Sequence, residues 1–387
     1  MTITGAADFS NGGQIGVAGD QSALARGDDV TLIAGPGGAF ASLDQDTVVG
    51  FQGTRMYTYD LGITGLGLGA HVANVQADPR WKSLSEGFLS GQAFLNQGTD
   101  LLADSGMTNA LRAAAGSESG PAFFGAISYG SSRYDTGSHI KVHGLSLLLG
   151  GAYGVSLDPG RLTIGAFFEY GTGSYDSHND FANFASVKGD GDTDYVGGGL
   201  LTRFDFNNHG SGAFYAELSA RAGRLSTDFN TLDIPGYRVS YDLSTPYFGL
   251  HAGLGHVFDL AGSTSLDLYA KYFWTHQEGK DFVAIDPISF GDVDSHRLRV
   301  GTRLSQGITD QVKFFAGAAY ENEFSGKAEA SSRGLRFDVP ELKGSTGIGE
   351  LGLTVLPNER VNLDVGVQGY VGTRKGVSGS VRLNFEF

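Results

Sequence analysis

Cysteine is absent from this 387-residue sequence, and proline (9) and methionine (3) are scarce. Without cysteine the chain has no disulfide framework, no thiolate zinc site and no cysteine nucleophile. A run of about 18 apolar residues is also missing, which excludes a transmembrane helix, and the N-terminus lacks the basic and apolar stretches of a secretory signal. Basic residues number 27 against 42 acidic ones, a net charge of −15, and this balance argues against a nucleic-acid partner.

Motifs of the common catalytic and metal sites are missing as well. The sequence contains no G-x-S-x-G, H-E-x-x-H, Walker A or C-x-x-C pattern. Residues 190–194 resemble the start of a calcium loop, but Tyr195 and Leu201 stand where glycine and glutamate are required. A loop that binds calcium weakly and a plain solvated loop both stay open there. We expect no catalytic residue, no cofactor and no metal.

Glycine is abundant, at 61 of 387 residues, against an average of about 7%, and the chain after residue 120 alternates apolar and polar residues. In residues 377–387, for example, valine, leucine and phenylalanine occupy one face, and serine, arginine, asparagine and glutamate the other. A period of two over such lengths predicts β-strands with one apolar face. Twelve strands are predicted, near residues 121–134, 140–157, 161–175, 192–206, 212–226, 241–258, 265–277, 292–306, 311–324, 343–356, 360–371 and 376–387.

The connections between these strands alternate in length. Those after even-numbered strands are tight turns, such as 157–160, whereas several after odd-numbered strands are long, such as 176–191 and 325–342. Short turns on one side and long loops on the other are typical of an outer-membrane barrel, as are aromatic residues near the strand ends. An even strand count also allows closure without edges. The apolar face is therefore predicted to contact lipid, and a soluble β-protein with an apolar core is the alternative.

Residues 78–115 differ from their neighbours and predict a helix. Asp78 and Pro79 form a helix start, and a break is predicted near residues 105–106. Its internal glycines would each cost about 1 kcal/mol in an isolated helix, so the helix needs an enclosing environment. A twelve-stranded barrel lies between those that fill their own interior and those with a water channel, and its lumen is predicted to hold this helix. The helix residues singled out are Trp81, Leu84, Phe88, Leu95, Asn96 and Leu102.

Two runs in this helix, Lys82–Gly87 (KSLSEG) and Ala93–Leu102 (AFLNQGTDLL), resemble the pore-helix segment of classical autotransporters, the type V secretion proteins of Gram-negative bacteria. The predicted twelve strands and a last strand ending in Phe385 and Phe387 are similar to the same family. The resemblance covers residues 78–387. It implies a 12-stranded antiparallel transmembrane β-barrel with an N-terminal helix threaded through its lumen, which mediates secretion or surface display of an N-terminal passenger without a cofactor.

The resemblance also implies a division of the chain and a set of partners. Residues 1–77 would be a passenger remnant, a short β-rich and β-helix-like segment, although their short strands alone also allow a small sandwich. Residues 78–120 would be the pore helix and linker, and residues 121–387 the translocator barrel. The expected partners are outer-membrane lipid and lipopolysaccharide, periplasmic chaperones, and the barrel-assembly machinery, which would recognise Phe385 and Phe387. The chain is expected to be a monomer in the outer membrane, and an exported protein with this N-terminus would be a mature form or a fragment.

Charged residues on the polar faces of the predicted strands are the candidate functional residues. They would form a polar path and a clamp for the helix, or salt bridges that only stabilise the barrel, and the two roles are compatible. Arginines are expected to face acidic residues across the lumen or to contact the helix. The residues are Arg221, Arg297, Arg299, Arg303 and Arg382, with Glu169, Glu217, Asp364 and Glu386.

Other functions stay open for parts of this chain. An outer-membrane adhesin or a porin-like channel, acting through long loops or the lumen, is the alternative to a translocator. Some members of the resembled family cleave the helix at an asparagine, which makes Asn96 a candidate scissile residue, although Gln97 stands where a second asparagine is expected. Residues 1–77 contain no catalytic constellation, so adhesin, protease and esterase passengers are all open.

Overall fold

A computed structural model of the protein describes residues 24–34, 47–64, 67–116, 122–207, 212–260, 262–358 and 361–385. Its contacts divide the chain into two units. One unit contains the described residues up to Trp81 together with Val283–Ile288 and Ser331–Phe337, and the other contains the main helices and a closed β-barrel. Within these described ranges, no helix is both long enough and apolar enough to cross a membrane.

The N-terminal unit contains a sheet of four strands, β1 (Asp29–Ala34), β2 (Thr47–Gln52), β3 (Arg55–Thr64) and β4 (Gly67–Ala77). Their order is β1-β4-β3-β2, and every pairing is antiparallel. Alternate residues such as Tyr57, Tyr59 and Val72 are buried together. The prediction of a β-helix-like segment is corrected for these strands, because a β-helix stacks parallel strands.

The turn between β2 and β3 binds the carboxylate of Asp286. Asp286 accepts hydrogen bonds from the Thr54 N–H (2.9 Å), the Thr54 hydroxyl (3.0 Å) and Arg333 Nε (2.6 Å). Burial raises the pKa of Asp286, but the hydrogen bonds from Thr54 and Arg333 outweigh it and hold this pKa below its ordinary value. Gly53, at a φ of +54°, leaves no room for a side chain against Asp286, so the turn requires glycine.

The helical segment begins where it was predicted. A 3-10 turn, Pro79–Trp81, leads into α1 (Lys82–Asp100), a π-helical stretch (Leu101–Gly106) and α2 (Met107–Gly116), and Asp78 accepts a hydrogen bond from the Arg80 N–H (3.0 Å) as a cap. At the predicted break near residues 105–106 the chain is π-helical, so the helix changes type there without a gap, and α2 begins directly after it at Met107. Leu101 and Leu102 of this stretch pack against Phe124 and Leu148 of the barrel wall, so its helical conformation does not depend on its own helix propensity alone.

Trp81 does not lie on the lumenal helix as predicted. It belongs to the 3-10 turn and to the N-terminal unit, where its ring packs 6.4 Å from the ring of Phe337. The apolar spacing that predicted Trp81 for the helix face holds from Leu84 onward, within α1.

The remaining strands are numbered β5 to β20 in chain order. Twelve of them are long, and four short ones lie in connections. They are β5 (Ala122–Asp135), β6 (His139–Leu157), β7 (Gly160–Asn179), β8 (Val187–Phe206), β9 (Gly212–Thr231), β10 (Val239–Asp259), β11 (Thr264–Gln277), β12 (Asp281–Val283), β13 (Pro287–Phe290), β14 (Val293–Thr309), β15 (Val312–Glu323), β16 (Ala330–Ser332), β17 (Leu335–Arg336), β18 (Gly344–Asn358), β19 (Val361–Gly372) and β20 (Arg374–Phe385).

The twelve long strands form a closed antiparallel barrel. Each pairs with its neighbours in sequence, and β20 pairs with β5 to close the ring. The predicted 12-stranded barrel is confirmed. The short strands β12, β13, β16 and β17 form a separate four-stranded sheet.

The two faces of the barrel wall differ as the alternation predicted. Large apolar side chains point outward, with Leu254 66% exposed and Phe214 64% exposed, whereas inward-facing Arg299 is buried. In water such a surface would be a large apolar patch; in a bilayer it is the lipid-facing band of a transmembrane barrel.

Several strands extend beyond their predicted ends. β7 runs to Asn179 and β8 starts at Val187, so most of the connection predicted at residues 176–191 is strand. The period of two continues there with polar and small residues in place of apolar ones, for example Ser177 and Gly189, which pair with each other. A pattern search based on hydrophobicity therefore ends these strands too early.

Candidate functional site

The candidate site is the barrel lumen with the helix inside it. Every residue of α1 from Ser83 to Asp100 is buried, which confirms the predicted lumenal helix. Leu84, Phe88, Leu95 and Asn96 lie in α1 and Leu102 lies in the π-helical stretch, all of them buried. The ring of Phe88 stacks on that of Phe290, with ring centroids 4.5 Å apart.

Glycines allow the helix backbone to contact the wall. A Cβ added at Gly87 would lie 2.5 Å from the hydroxyl of Tyr241, and one at Gly91 would lie 2.8 Å from the side chain of Leu225. The same tyrosine hydroxyl donates a hydrogen bond to the Leu84 carbonyl (3.1 Å). The glycines therefore serve the fit between helix and wall, which offsets their low helix propensity.

Asp100, the last residue of α1, is the centre of a buried charge cluster. Its carboxylate accepts hydrogen bonds from Arg297 (2.8 Å) and Arg299 (2.7 Å) on β14, and from Arg374 (2.7 Å) on β20. Glu321 on β15 accepts a further hydrogen bond from Arg299 Nε (2.9 Å). Charge-assisted hydrogen bonds of this kind are about twice as strong as neutral ones, so Asp100 joins the helix directly to two strands, β14 and β20.

Asp104 extends the cluster by one helical turn. It accepts a hydrogen bond from Arg299 Nη1 (3.0 Å) and lies 3.4 Å from Lys271 Nζ on β11. The same ammonium donates to the Ala103 carbonyl (2.7 Å) and lies 3.1 Å from Glu217 on β9. Lys271 thus joins the π-helical stretch to its own strand, β11, and to β9, which lies on the other side of β10.

Arg221 on β9 contacts the middle of α1. One of its nitrogens donates to Glu169 (2.8 Å) and another to the Leu95 carbonyl (2.9 Å). Glu169 also accepts a hydrogen bond from the Tyr247 hydroxyl (2.7 Å). Arg221, Glu169 and Tyr247 are all buried. The two charges are paired where an unpaired charge would be costly, although Arg221 Nε has no hydrogen-bond partner.

The first turn of α1 contacts the end of the barrel that carries the longer connections. Glu86 accepts hydrogen bonds from the Thr136 hydroxyl (2.8 Å) and from Asn179 Nδ2 (2.6 Å). Lys82 lies 3.5 Å from Glu86 and donates to the Thr136 carbonyl (3.2 Å). The helix therefore runs from the long-loop end of the barrel towards the short-turn end.

The short-turn end binds α2. Arg112 forms a salt bridge with Asp364 on β19, and Arg382 Nε lies 3.9 Å from the same carboxylate. Arg303 on β14 donates two hydrogen bonds to Glu350 on β18 (2.6 and 2.7 Å). Polar contacts thus follow the helix along the full length of the lumen.

The structure brings together most of the residues predicted for the site. All five predicted arginines and Glu169, Glu217 and Asp364 face the lumen, but Glu217 binds Lys271 and lies 3.5 Å from Arg203, neither of them among the predicted arginines. Glu386 and Phe387 lie outside the described residues. Phe385 is described only as the last backbone position of β20.

Further charged residues of the lumen were missed by the sequence reasoning. Glu321 and Glu350 alternate with apolar residues in the predicted strands, so the period of two could have placed them on the polar face. Asp100 and Asp104 are four residues apart, a spacing that puts both on one face of a helix. The missed residues are Glu86, Asp100, Asp104, Lys271, Glu321, Glu350 and Arg374.

The acidic segment at residues 190–194 is not a calcium loop. It lies inside β8, where alternate residues point to opposite sides of the wall and cannot surround one ion. In the described part of the chain, no three histidine, aspartate or glutamate side chains are placed to hold a metal ion together.

The sequence was compared with protein families and with known proteins. Residues 123–368 match the family model described as "Autotransporter beta-domain". A search of the curated proteins found no match.

Solved structures of autotransporter barrels are similar in fold. The beta domain of the Bordetella autotransporter BrkA matches with a TM-score of 0.54 and 16% identity, over 70% of this chain and 100% of that one. The transport unit of AIDA-I from Escherichia coli matches with 0.58 and 14%, over 73% and 98%. The translocator domain of NalP from Neisseria meningitidis matches with 0.52 and 14%, over 80% and 99%.

Proposed function

The chain belongs to the autotransporter family, and we propose that its lumenal charge clusters hold the helix in place as the terminal stage of passenger secretion. It is an outer-membrane translocator of a Gram-negative bacterium, and the family's β-domain is a transport unit. The observation that carries the proposal is the complete burial of α1 inside a closed barrel. A helix about 10–12 Å wide occupies the path that a polypeptide would take.

The orientation of the helix within the barrel supports a direction for transport. Its N-terminus lies at the long-loop end, where Glu86 is bound, and its C-terminal turn lies at the short-turn end, where Arg112 is bound. In a membrane barrel of this kind the long loops face the cell exterior. We infer that residues 1–77 are on the passenger side, residues 78–120 connect them through the lumen, and residues 121–387 form the translocator.

The passage itself is proposed to need no nucleotide and no cofactor. An unfolded hairpin of the passenger would enter the lumen, and folding outside the cell would prevent its return. Barrel-assembly machinery that recognises Phe385 and Phe387, periplasmic chaperones and lipopolysaccharide are the partners we propose, with the barrel acting as a monomer. We propose no catalytic role for the lumen.

Self-cleavage of the helix is the one catalytic alternative, and Asn96 is its candidate residue. The Asn96 amide donates to the Ser295 hydroxyl (3.1 Å), which in turn donates to Glu323. A single full-length band on a denaturing gel after assembly would exclude cleavage, and a fragment of barrel size would support it.

Conductance of the purified barrel in a planar bilayer tests the plug. Deletion of residues 78–115 is expected to raise single-channel conductance sharply, because it empties the lumen. A variant that lacks only residues 1–77 is the control and should keep the low conductance of the full chain. Equal conductance of the two deletions would contradict a plugging helix.

A reporter fused before residue 1 tests the translocator function separately. The reporter should become accessible to added protease on intact cells. Accessibility that persists after the barrel strands are deleted would contradict secretion through this barrel. The porin-like alternative is disfavoured because α1 fills the lumen.

A further inference from the structure

The short-turn end of the lumen contains a cavity that the translocator role does not explain. Its volume is about 500 Å³, within the range of pockets that hold small ligands. It is lined by four basic side chains, Arg112 on α2, Arg303 on β14, Lys313 on β15 and Arg382 on β20. Such a concentration of positive charge is unusual in a chain whose net charge is −15.

The four cations of this cavity outnumber the carboxylates near them, which are Asp259 in the lining and Asp364 and Glu350, each bonded to an arginine. Asp364 forms a salt bridge with Arg112 and also accepts a hydrogen bond from Thr354. Arg382 is only 4% exposed, its Nε makes no hydrogen bond, and Asp364 lies 3.9 Å away, beyond hydrogen-bond distance. Two guanidinium groups therefore share one carboxylate, and one of them is left incompletely paired.

A buried cation without a full partner is costly, by several kcal/mol when a pair is broken. Glu350 does not offset this excess of positive charge, because its carboxylate is already bound to Arg303 through two hydrogen bonds. The ring of Phe315 lies beneath Arg303 and Arg382, at 5.2 and 5.6 Å from their guanidinium carbons. This ring holds the guanidinium groups by cation–π attraction but supplies no acceptor for their N–H groups.

The hydroxyl of Ser305 also lines the cavity and suits a ligand that carries oxygen atoms. Thr108, Ser263 and Thr264 line it as well, but their hydroxyls already donate hydrogen bonds to Asp104, Gly307 and Gln306. Hydroxyls donate hydrogen bonds to oxyanions, and guanidinium groups bind phosphate and carboxylate with matching geometry.

We propose that this cavity binds an oxyanion, a phosphate or carboxylate group, which completes the pairing of Arg382 and links α2 to the barrel wall. Arg112 belongs to α2, and Arg303, Lys313 and Arg382 belong to the wall. An anion held between them joins the two by charge-assisted hydrogen bonds. Anion binding therefore opposes release of the helix from the lumen.

The test measures binding of inorganic phosphate to the full chain in neutral detergent by titration calorimetry. We expect one site in the unaltered protein. Arg382→Gln should weaken the affinity about tenfold, the effect of one charge-assisted hydrogen bond. Lys313→Gln, at the exposed rim, should weaken it without affecting folding. Lys375→Gln is the matched control, because Lys375 lies on the same strand as Arg382 but at its other end.

A second measurement connects binding to the helix. Phosphate should raise the temperature at which protease gains access to α2 in the unaltered protein and should not raise it in Arg382→Gln. Equal phosphate affinity in all variants overturns the proposal. Binding that shows an adventitious ion only, without one defined site, overturns it as well. Phosphatidylglycerol added to the micelles separates two sources of the same chemistry. Competition between lipid and phosphate supports the site with a lipid headgroup as its ligand, and lack of competition supports a dissolved anion.

Discussion

Replacement of Asp100 by asparagine is the most informative single change. The substitution preserves the shape of the side chain and removes the charge that accepts hydrogen bonds from Arg297, Arg299 and Arg374. After it, Arg297 and Arg299 keep Glu321 as a partner. Arg374 keeps a hydrogen bond to the Ser132 hydroxyl (3.1 Å) and a stacking contact with the Tyr370 ring (3.7 Å), and neither partner carries a negative charge. The variant therefore has uncompensated positive charge in the lumen.

The free-energy cost of Asp100→Asn follows from the loss of these ion pairs. Removal of one partner from a buried ion pair costs about 3–5 kcal/mol, and 1.4 kcal/mol corresponds to about a factor of ten in an equilibrium constant. The population in which the helix is released from the lumen should therefore rise at least about 100-fold. The loss concerns the helix–wall contact, because the strand pairings of the barrel do not involve Asp100.

Protease access to the helix and channel conductance measure this population. We expect faster cleavage of α1 and frequent channel openings in Asp100→Asn, with the barrel itself intact by its resistance to heating in detergent. Asp60→Asn is the matched control, since Asp60 is an exposed carboxylate on β3. Cleavage and conductance equal to those of the control would refute the view that Asp100 holds the helix.

Two further changes test contacts at other positions. Gly87→Ala should weaken helix retention although alanine favours helices by about 1 kcal/mol, because its Cβ would lie 2.5 Å from the Tyr241 hydroxyl; protease access measures this, and increased protection would contradict it. Asp286 has a pKa below its ordinary value, so its contacts stabilise the β2–β3 turn at neutral pH and weaken as the pH falls through that lowered pKa. Asp286→Asn should remove this acid dependence, measured as hydrogen exchange at the Thr54 amide, and an unchanged pH profile would contradict it.

The barrel was predictable because its pattern is local. Each strand carries its own alternation, such as Val377, Val381 and Leu383 on the outer face of β20, and twelve such repeats require no knowledge of which strands pair. The pairing of β1 with β4 was not predictable in this way. Short strands look alike whether they pair in parallel or antiparallel fashion, so the strands were predicted here but their β-helix-like arrangement was wrong.

The presence of charged residues in the lumen was predictable from the sequence, but the ion pairs that they form were not. Arg297 and Arg299 were placed in the lumen by the alternation of β14. Their partner Asp100 lies almost 200 residues away on the helix, and the two come together only when the barrel closes around it. Arg374 was missed for another reason, because β20 begins two residues earlier than the apolar alternation indicated.

The close fit at Gly87 and Gly91 limits how autotransporters can be recombined. In a chimera whose helix carries a larger residue in place of Gly87 or Gly91, that side chain would clash with Tyr241 or Leu225, and the foreign helix could not seat fully. An incompletely seated helix leaves a gap through which small solutes cross the outer membrane. A display vector based on this chain should therefore retain its own sequence from residue 78 onward, so that the cargo is exported without loss of the permeability barrier.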